Sequence, residues 1–326
     1  MFFSKIFFLS LIYFKKEKMY KESTLSIEEK KEIAFFVKPI TYETTVKDFQ
    51  NLYNLYNLKN INNISDRCRI GNDCVDYFTF VERLNTKGKY NISFYDFIEN
   101  IEEFKKKKFI QNMFLYYETT KNKNNKKNKW VVYKEIYNIC ISAINIFRPI
   151  VAMEIYSRFQ PTSILDFTCG WGGRLIGACA LNIPKYIGID INQHLESGYQ
   201  EMREFLNSTN CKTEIQLFFK DALQIDYTQL DYDMVFTSPP YFFLEKYSFN
   251  AIYDTKEEMK NKFYIPLLKK TLDSLKMGGY YCLNINKEIY EEVAVPIFGK
   301  ALEEIPLKKS KRQNDYKEFI YVWRKI

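Results

Sequence analysis

Met234-Val235-Phe236-Thr237-Ser238-Pro239-Pro240-Tyr241 is the stretch from which the rest of the chain can be read. Met234–Phe236 is a short apolar run of the kind that forms a strand buried on both faces. It leads through Thr237 and Ser238 into two prolines, which fix φ twice and remove two N–H donors. The residue ahead of each proline is confined to extended backbone. A stiff turn at the carboxyl end of a buried strand holds a hydroxyl, a carbonyl and an aromatic ring at fixed separations. Ser238 Oγ and a neighbouring main-chain carbonyl can accept the hydrogens of an exocyclic amine while Tyr241 stacks on the ring that carries it. On their own these residues are read equally well as a strand and an ordinary Pro-Pro loop, so the surroundings decide.

Around this stretch the chain alternates regularly. Strands are expected at Ser163–Phe167, Lys185–Ile189, Glu214–Phe219, Asp233–Thr237 and Gly279–Ile285. Helices are expected at Gly172–Leu181, Glu196–Leu206, Lys256–Lys276 and Glu288–Leu302, and Ile305–Lys309 with Lys317–Arg324 read as a closing antiparallel hairpin. Strands alternating with helices imply an α/β fold with a doubly wound, mostly parallel sheet. Ligands of such sheets lie at the carboxyl ends of the strands, near the point where strand order reverses.

Three of those strand ends carry acids. The first runs Asp166-Phe167-Thr168-Cys169-Gly170-Trp171-Gly172-Gly173, a glycine-rich turn that lets a ligand approach closely, but without the GxGxxG pattern or a phosphate-binding lysine. The second ends in Asp190, followed by Ile191, and is placed to accept from two ribose hydroxyls. The third ends in Asp221-Ala222, where an acid can accept from an adenine amine. Three acids and no phosphate lysine fit a cofactor with an adenosine and a cationic tail. S-adenosylmethionine meets that description; the pyrophosphate of NAD would be repelled beside Asp166.

Taken together, Asp166–Gly173, Asp190, Asp221 and Ser238–Tyr241 resemble the S-adenosylmethionine-dependent amino-methyltransferases of DNA, including methylases of phages and large DNA viruses. The resemblance covers about residues 147–326 and implies a Rossmann-like methyltransferase fold. It implies methyl transfer to cytosine N4 or adenine N6 of a flipped base, with DNA as partner. By it, Ser238, Pro239, Pro240 and Tyr241 are catalytic, and Arg148, Asp166, Thr168, Gly170, Gly172, Asp190, Ile191, Asp221 and Ala222 bind cofactor. Phe147-Arg148-Pro149 would lie against the methionine end. Phe167 and Thr168 depart from the family, which often has proline or small residues there. The same loop chemistry serves RNA or a protein glutamine amide, and a catalytically idle nucleic-acid-binding subunit is a further reading. Glu245 and Lys246, in the loop after Tyr241, are read as pocket-bordering or plainly solvated.

The remaining sequence bounds the answer rather than giving it. Of 326 residues, 48 are Lys or Arg and 40 Asp or Glu, and the net charge of +8 points mildly to an anionic partner. Seven cysteines without a CxxC pair, and His194 as the single histidine, argue against zinc and against a histidine triad, and for free thiols in a reducing compartment. Phe2–Phe14 is apolar but too short to span a bilayer and lacks a basic leader, so a soluble, cytoplasmic or host-intracellular protein without membrane association is expected, with Met19 as an alternative start. Residues 1–18 are set apart as an apolar extension. Residues 19–146 read as a mainly helical accessory region, a candidate for target recognition, ahead of the methyltransferase domain at 147–326. Within it, Ser26-Ile27-Glu28-Glu29 has a capping-box pattern. Leu52–Leu58 reads as core, and Trp130–Ile146 continues a helical pattern. Arg67–Gly71, Val75–Phe80 and Arg83–Lys89 together read either as nucleic-acid contact or as a packed aromatic cluster with a solvated basic loop. Lys121–Lys129 (KNKNNKKNK) reads as a mobile solvated loop.

Overall fold

In the computed structural model a seven-stranded sheet carries the second half of the chain, in the order β3-β2-β1-β4-β5-β7-β6. The strands are β1 Ser163–Asp166, β2 Lys185–Asp190, β3 Glu214–Phe219, β4 Met234–Thr237, β5 Tyr280–Ile285, β6 Glu303–Pro306 and β7 Phe319–Arg324. The structure describes residues 20–57, 65, 67–88, 90–242, 253–307 and 318–326. β1 to β5 pair in parallel, and β7 runs antiparallel to both β5 and β6. This is the expected doubly wound, mostly parallel, Rossmann-like sheet with an antiparallel C-terminal hairpin.

Alternate side chains of each strand enter different cores, as the period of two requires. Ile164, Tyr186, Met234, Phe236 and Cys282 face one cluster. Leu165, Ile187, Val235, Tyr281 and Leu283 face the other. With helices on both faces, the central strands read as continuous apolar runs. The helix Pro149–Phe159 starts on a proline, whose missing N–H has no partner in a first turn.

Two compact units divide the chain. Among the described residues, one comprises those within 41–79, 146–242 and 253–326, and the other those within 20–40 and 80–145. In the first, Phe49, Leu52, Cys74 and Val75 join the cluster under β1 and β4. Asp48 holds the segment from 71 to 74 by accepting from the amides of Gly71, Asp73 and Cys74 at 2.9–3.1 Å. In the second unit the core is aromatic, with Phe94, Tyr95, Phe97, Phe104 and Tyr137 all buried. Ser26 and Ser93 both close capping boxes at their helix starts.

Two expectations change here. The helix Lys129–Cys140 stops at Ile141 rather than continuing to residue 146. The Lys/Asn tract, expected as a mobile solvated loop, carries a side-chain clamp: Asn122 donates to the Lys127 carbonyl and accepts from its amide, both at 3.0 Å. Composition shows the absence of apolar periodicity but not this side-chain clamp. Phe2–Phe14, Glu245 and Lys246 lie outside the described residues. Among the described residues no helix is long and apolar enough to cross a membrane.

Candidate active site at the strand-order reversal

Chain order reverses between β1 and β4, because β1 is followed by β2 on one side and β4 by β5 on the other. Turns leaving two such neighbouring strands diverge and open a crevice at their carboxyl ends. The glycine turn leaves β1 and the Ser-Pro-Pro-Tyr turn leaves β4. They meet hydroxyl to hydroxyl, Thr168 Oγ1 lying 2.6 Å from Thr237 Oγ1.

The three glycines of the first turn are required for different reasons. Gly173 is in contact with the segment before the helix Pro149–Phe159: a Cβ there would lie 1.8 Å from the Phe147 carbonyl oxygen. Gly172 has φ +88°, and a Cβ would lie 2.8 Å from Met202 Cε. Gly170 has φ +57°, but a Cβ would meet nothing nearer than the Thr168 carbonyl at 3.9 Å. Its missing side chain therefore leaves open space at the turn. Phe147-Arg148-Pro149 is thus beside the glycine turn, and the half-buried Arg148 donates from Nη1 to the Cys68 carbonyl at 2.8 Å.

The three acids have unlike surroundings. Asp166 is fully buried and accepts from Arg174 Nε at 2.7 Å, Arg174 Nη2 at 3.0 Å and the Tyr186 hydroxyl at 2.5 Å. Burial, and next the Asp166 carboxylate, holds the Tyr186 phenol far above its usual range, so it remains a donor. The sequence reading aimed Asp166 at a cofactor. The structure turns it inward, because Arg174, from the next helix, supplies a cation within the chain. It reaches the turn only through Arg174, whose Nη2 also donates to the Thr168 carbonyl at 2.5 Å. Asp190, half-buried, accepts from the Gly170 amide at 2.7 Å and the Asn192 amide at 2.9 Å. Burial pushes its carboxyl above the ordinary range, against the downward pull of those two amides. Ile191 beside it is 42% exposed. Asp221 accepts from the Leu223 amide at 2.9 Å, and Ala222 is buried.

After β4, Asn284 organises the loop. Its Oδ1 accepts from Ser238 Oγ at 3.0 Å and from the Tyr241 hydroxyl at 3.1 Å, while its Nδ2 donates to the Phe319 carbonyl at 3.1 Å. Asn284 is 3% exposed. Tyr264 donates its hydroxyl to the Pro240 carbonyl. Because Ser238 gives its proton to Asn284, the lone pairs of its Oγ remain for an incoming donor. Tyr241 is 6% exposed with its hydroxyl anchored, which differs from the open stacking face read from sequence. Asn284 and Tyr264 were not among the residues singled out. The available signal was an asparagine inside Tyr280–Ile285, since a polar side chain in a strand buried on both faces needs partners.

Residues 161–322 match the family model described as RNA cap guanine-N2 methyltransferase. This part of the chain is a methyltransferase domain. It uses S-adenosylmethionine as methyl donor. No curated protein matches the chain. Among solved structures it is similar to TrmN from Thermus thermophilus at 17% identity and a TM-score of 0.41, over 55% of this chain and 49% of that one. The chain thus spans about half the length of that protein. It is also similar to an rRNA methylase from Streptococcus thermophilus at 13% identity and a TM-score of 0.41, over 56% of this chain and all of that one. NSun6 from Pyrococcus horikoshii, solved with SFG, is a further similar structure, at 16% identity and a TM-score of 0.39, over 56% of this chain and 52% of that one.

The methyltransferase domain fits its donor on chemical grounds. Gly170 leaves open space in which an adenosine would have room to approach the backbone, and the Asp190 carboxylate has acceptor capacity beyond its two amide partners. An exposed Ile191 follows it. Arg174 is paired with the buried Asp166, so its charge is already answered within the chain.

Proposed function

We propose that this chain methylates an exocyclic amine of a base in RNA, with guanine N2 at a 5′ cap as the leading target. The observation that carries the reading is the match of residues 161–322 to an RNA cap guanine-N2 family, with Ser238-Pro239-Pro240-Tyr241 falling inside it. It moves the substrate from DNA, the first expectation from sequence, to RNA, the alternative. Nothing in the comparisons favours cytosine N4 or adenine N6.

S-adenosylmethionine supplies an electrophilic methyl group when bound; the chain's own residues do the rest. Asp190, with Gly170, would hold the ribose, and Ile191 and Ala222 would flank the adenine, Asp221 accepting from its amine. Ser238 Oγ and the Pro239 carbonyl would accept the two hydrogens of the target amine. Those bonds draw the nitrogen towards tetrahedral geometry and free its lone pair. Catalysis is then mostly positioning, and no histidine base is required. Asn284 serves as a positioning residue, because it fixes which way the Ser238 proton points.

The test is transfer of labelled methyl to capped RNA, to the same RNA without its cap, and to genomic DNA, with digestion to nucleosides. Label in N2-methylated guanosine from the capped RNA alone is the expected result. Label in internal RNA bases would keep the class and change the target. Label only in DNA would overturn the RNA reading.

A further inference from the structure

We propose that the loop from Lys121 to Lys129 and its flanks form a docking surface for the phosphate backbone of single-stranded RNA. Naming RNA rests on the function proposed above; the surface itself rests on separate observations. The first is where the charge lies. Residues 101–135 contain ten lysines and four glutamates, a net +6 of the chain's +8. A second excess, net +5, lies in residues 308–325, so the basic character of the protein is concentrated in these two stretches.

The second is how the carboxylates are used. Glu102 and Glu103 pair with Lys105 and Lys106, and Glu135 pairs with both Lys121 and Lys127. Lys121 and Lys127 are thereby tied to the helix behind them. Lys123, Lys126 and Lys129 are exposed, and among the described residues no carboxylate pairs with them.

The third is that the loop is pre-formed. Asn122 bonds Lys127 in both directions. Asn125 takes the left-handed conformation, with φ +49°. Asn128 accepts from the Val131 amide at 3.0 Å and donates to the Phe36 carbonyl at 2.7 Å. A solvated low-complexity insertion has no need of such ties. Held this way, the three lysines need not be ordered by the ligand, which lowers the entropic cost of binding.

An aromatic ring borders the loop: Lys129 Nζ lies 4.5 Å from the centre of the half-buried Trp130 ring. Lysines interleaved with aromatics are how sequence-tolerant single-strand surfaces are built, the cations following phosphates and the rings taking bases.

The test uses the full chain and a fluorescent single-stranded RNA of about 20 nucleotides, followed by anisotropy across a salt series. Each phosphate contact contributes roughly 0.7 to the slope of log affinity against log salt for single strands. Lys123→Gln/Lys126→Gln/Lys129→Gln should flatten the slope by about 2. Lys123→Arg/Lys126→Arg/Lys129→Arg should keep the original slope. Lys212→Gln/Lys269→Gln/Lys300→Gln removes equal charge from exposed sites in the other unit and should leave it nearly unchanged. An unchanged slope in the first variant, or equal flattening in the third, overturns the proposal. So does a first variant that loses binding to anionic vesicles while RNA binding stays intact. A flattened slope in a protein that methylates no RNA would uphold the surface and sink the catalytic reading instead.

Discussion

Asn284→Ala tests the site at its least obvious point. The amide makes three hydrogen bonds at 3% exposure. At about 1 kcal/mol net for each, truncation should cost about 3 kcal/mol. For a unit of this size that is a melting temperature lower by roughly 6–12 °C. The kinetic effect should exceed what instability explains. Ser238 loses the acceptor that orients its proton, and the misplaced hydroxyl should lower turnover by roughly ten- to a hundredfold, with little change in the Kd for S-adenosylmethionine. The assay is methyl transfer at a temperature well below the transition, with cofactor affinity measured by calorimetry. Ser238→Ala and the double variant complete a cycle. If Asn284 works through Ser238, the double variant should turn over no more slowly than Ser238→Ala. Full additivity of the two losses, or an unchanged turnover in Asn284→Ala, would refute the reasoning.

Other outcomes follow from the same geometry. Gly173→Ala should fail to give stable protein, since its Cβ would be driven 1.8 Å from the Phe147 carbonyl. Gly170→Ala should fold at a cost of about 1–2 kcal/mol for its left-handed backbone but bind S-adenosylmethionine at least tenfold more weakly, read by thermal melting and calorimetry together. Arg174→Ala leaves the Asp166 carboxylate buried without its cation and should cost about 3–5 kcal/mol in denaturant unfolding. Cofactor affinity should fall with acid earlier than for an exposed aspartate. Burial raises the Asp190 carboxyl, so its proton returns at higher pH and cancels an acceptor for the ribose. Asp190→Asn should weaken binding and flatten that pH profile.

The sheet was legible because its signals are local and strong. Glu214–Phe219 forms with the ends expected, and the other strands fall within a few residues, since buried runs such as Tyr186–Ile189 leave little choice of conformation. The Ser26 capping box is equally local. What sequence hid depends on partners far along the chain. Asn284, 46 residues from Ser238, gains its meaning only when β5 lies beside β4. Asp166 reads as a cofactor-binding acid at a strand end because nothing in its pattern announces that Arg174 folds back onto it. The Lys/Asn tract failed for a related reason: its order comes from single side chains such as Asn122, which a periodicity search discards as polar noise.

The bond from Asn284 to Phe319 gives the C-terminal hairpin a say in chemistry it does not touch. An amide turned by half a revolution has nearly the same shape but opposite polarity. Its nitrogen would then face Ser238 and Tyr241, the serine would have to accept, and its proton would point towards the incoming amine, donor against donor. The Phe319 carbonyl forbids that orientation, since it would confront the amide oxygen. A redesign that reshaped β7 or moved Phe319 by one register step would therefore alter the direction of a hydrogen bond rather than the outline of a pocket. Such a variant could keep its cofactor and its fold and still be inert.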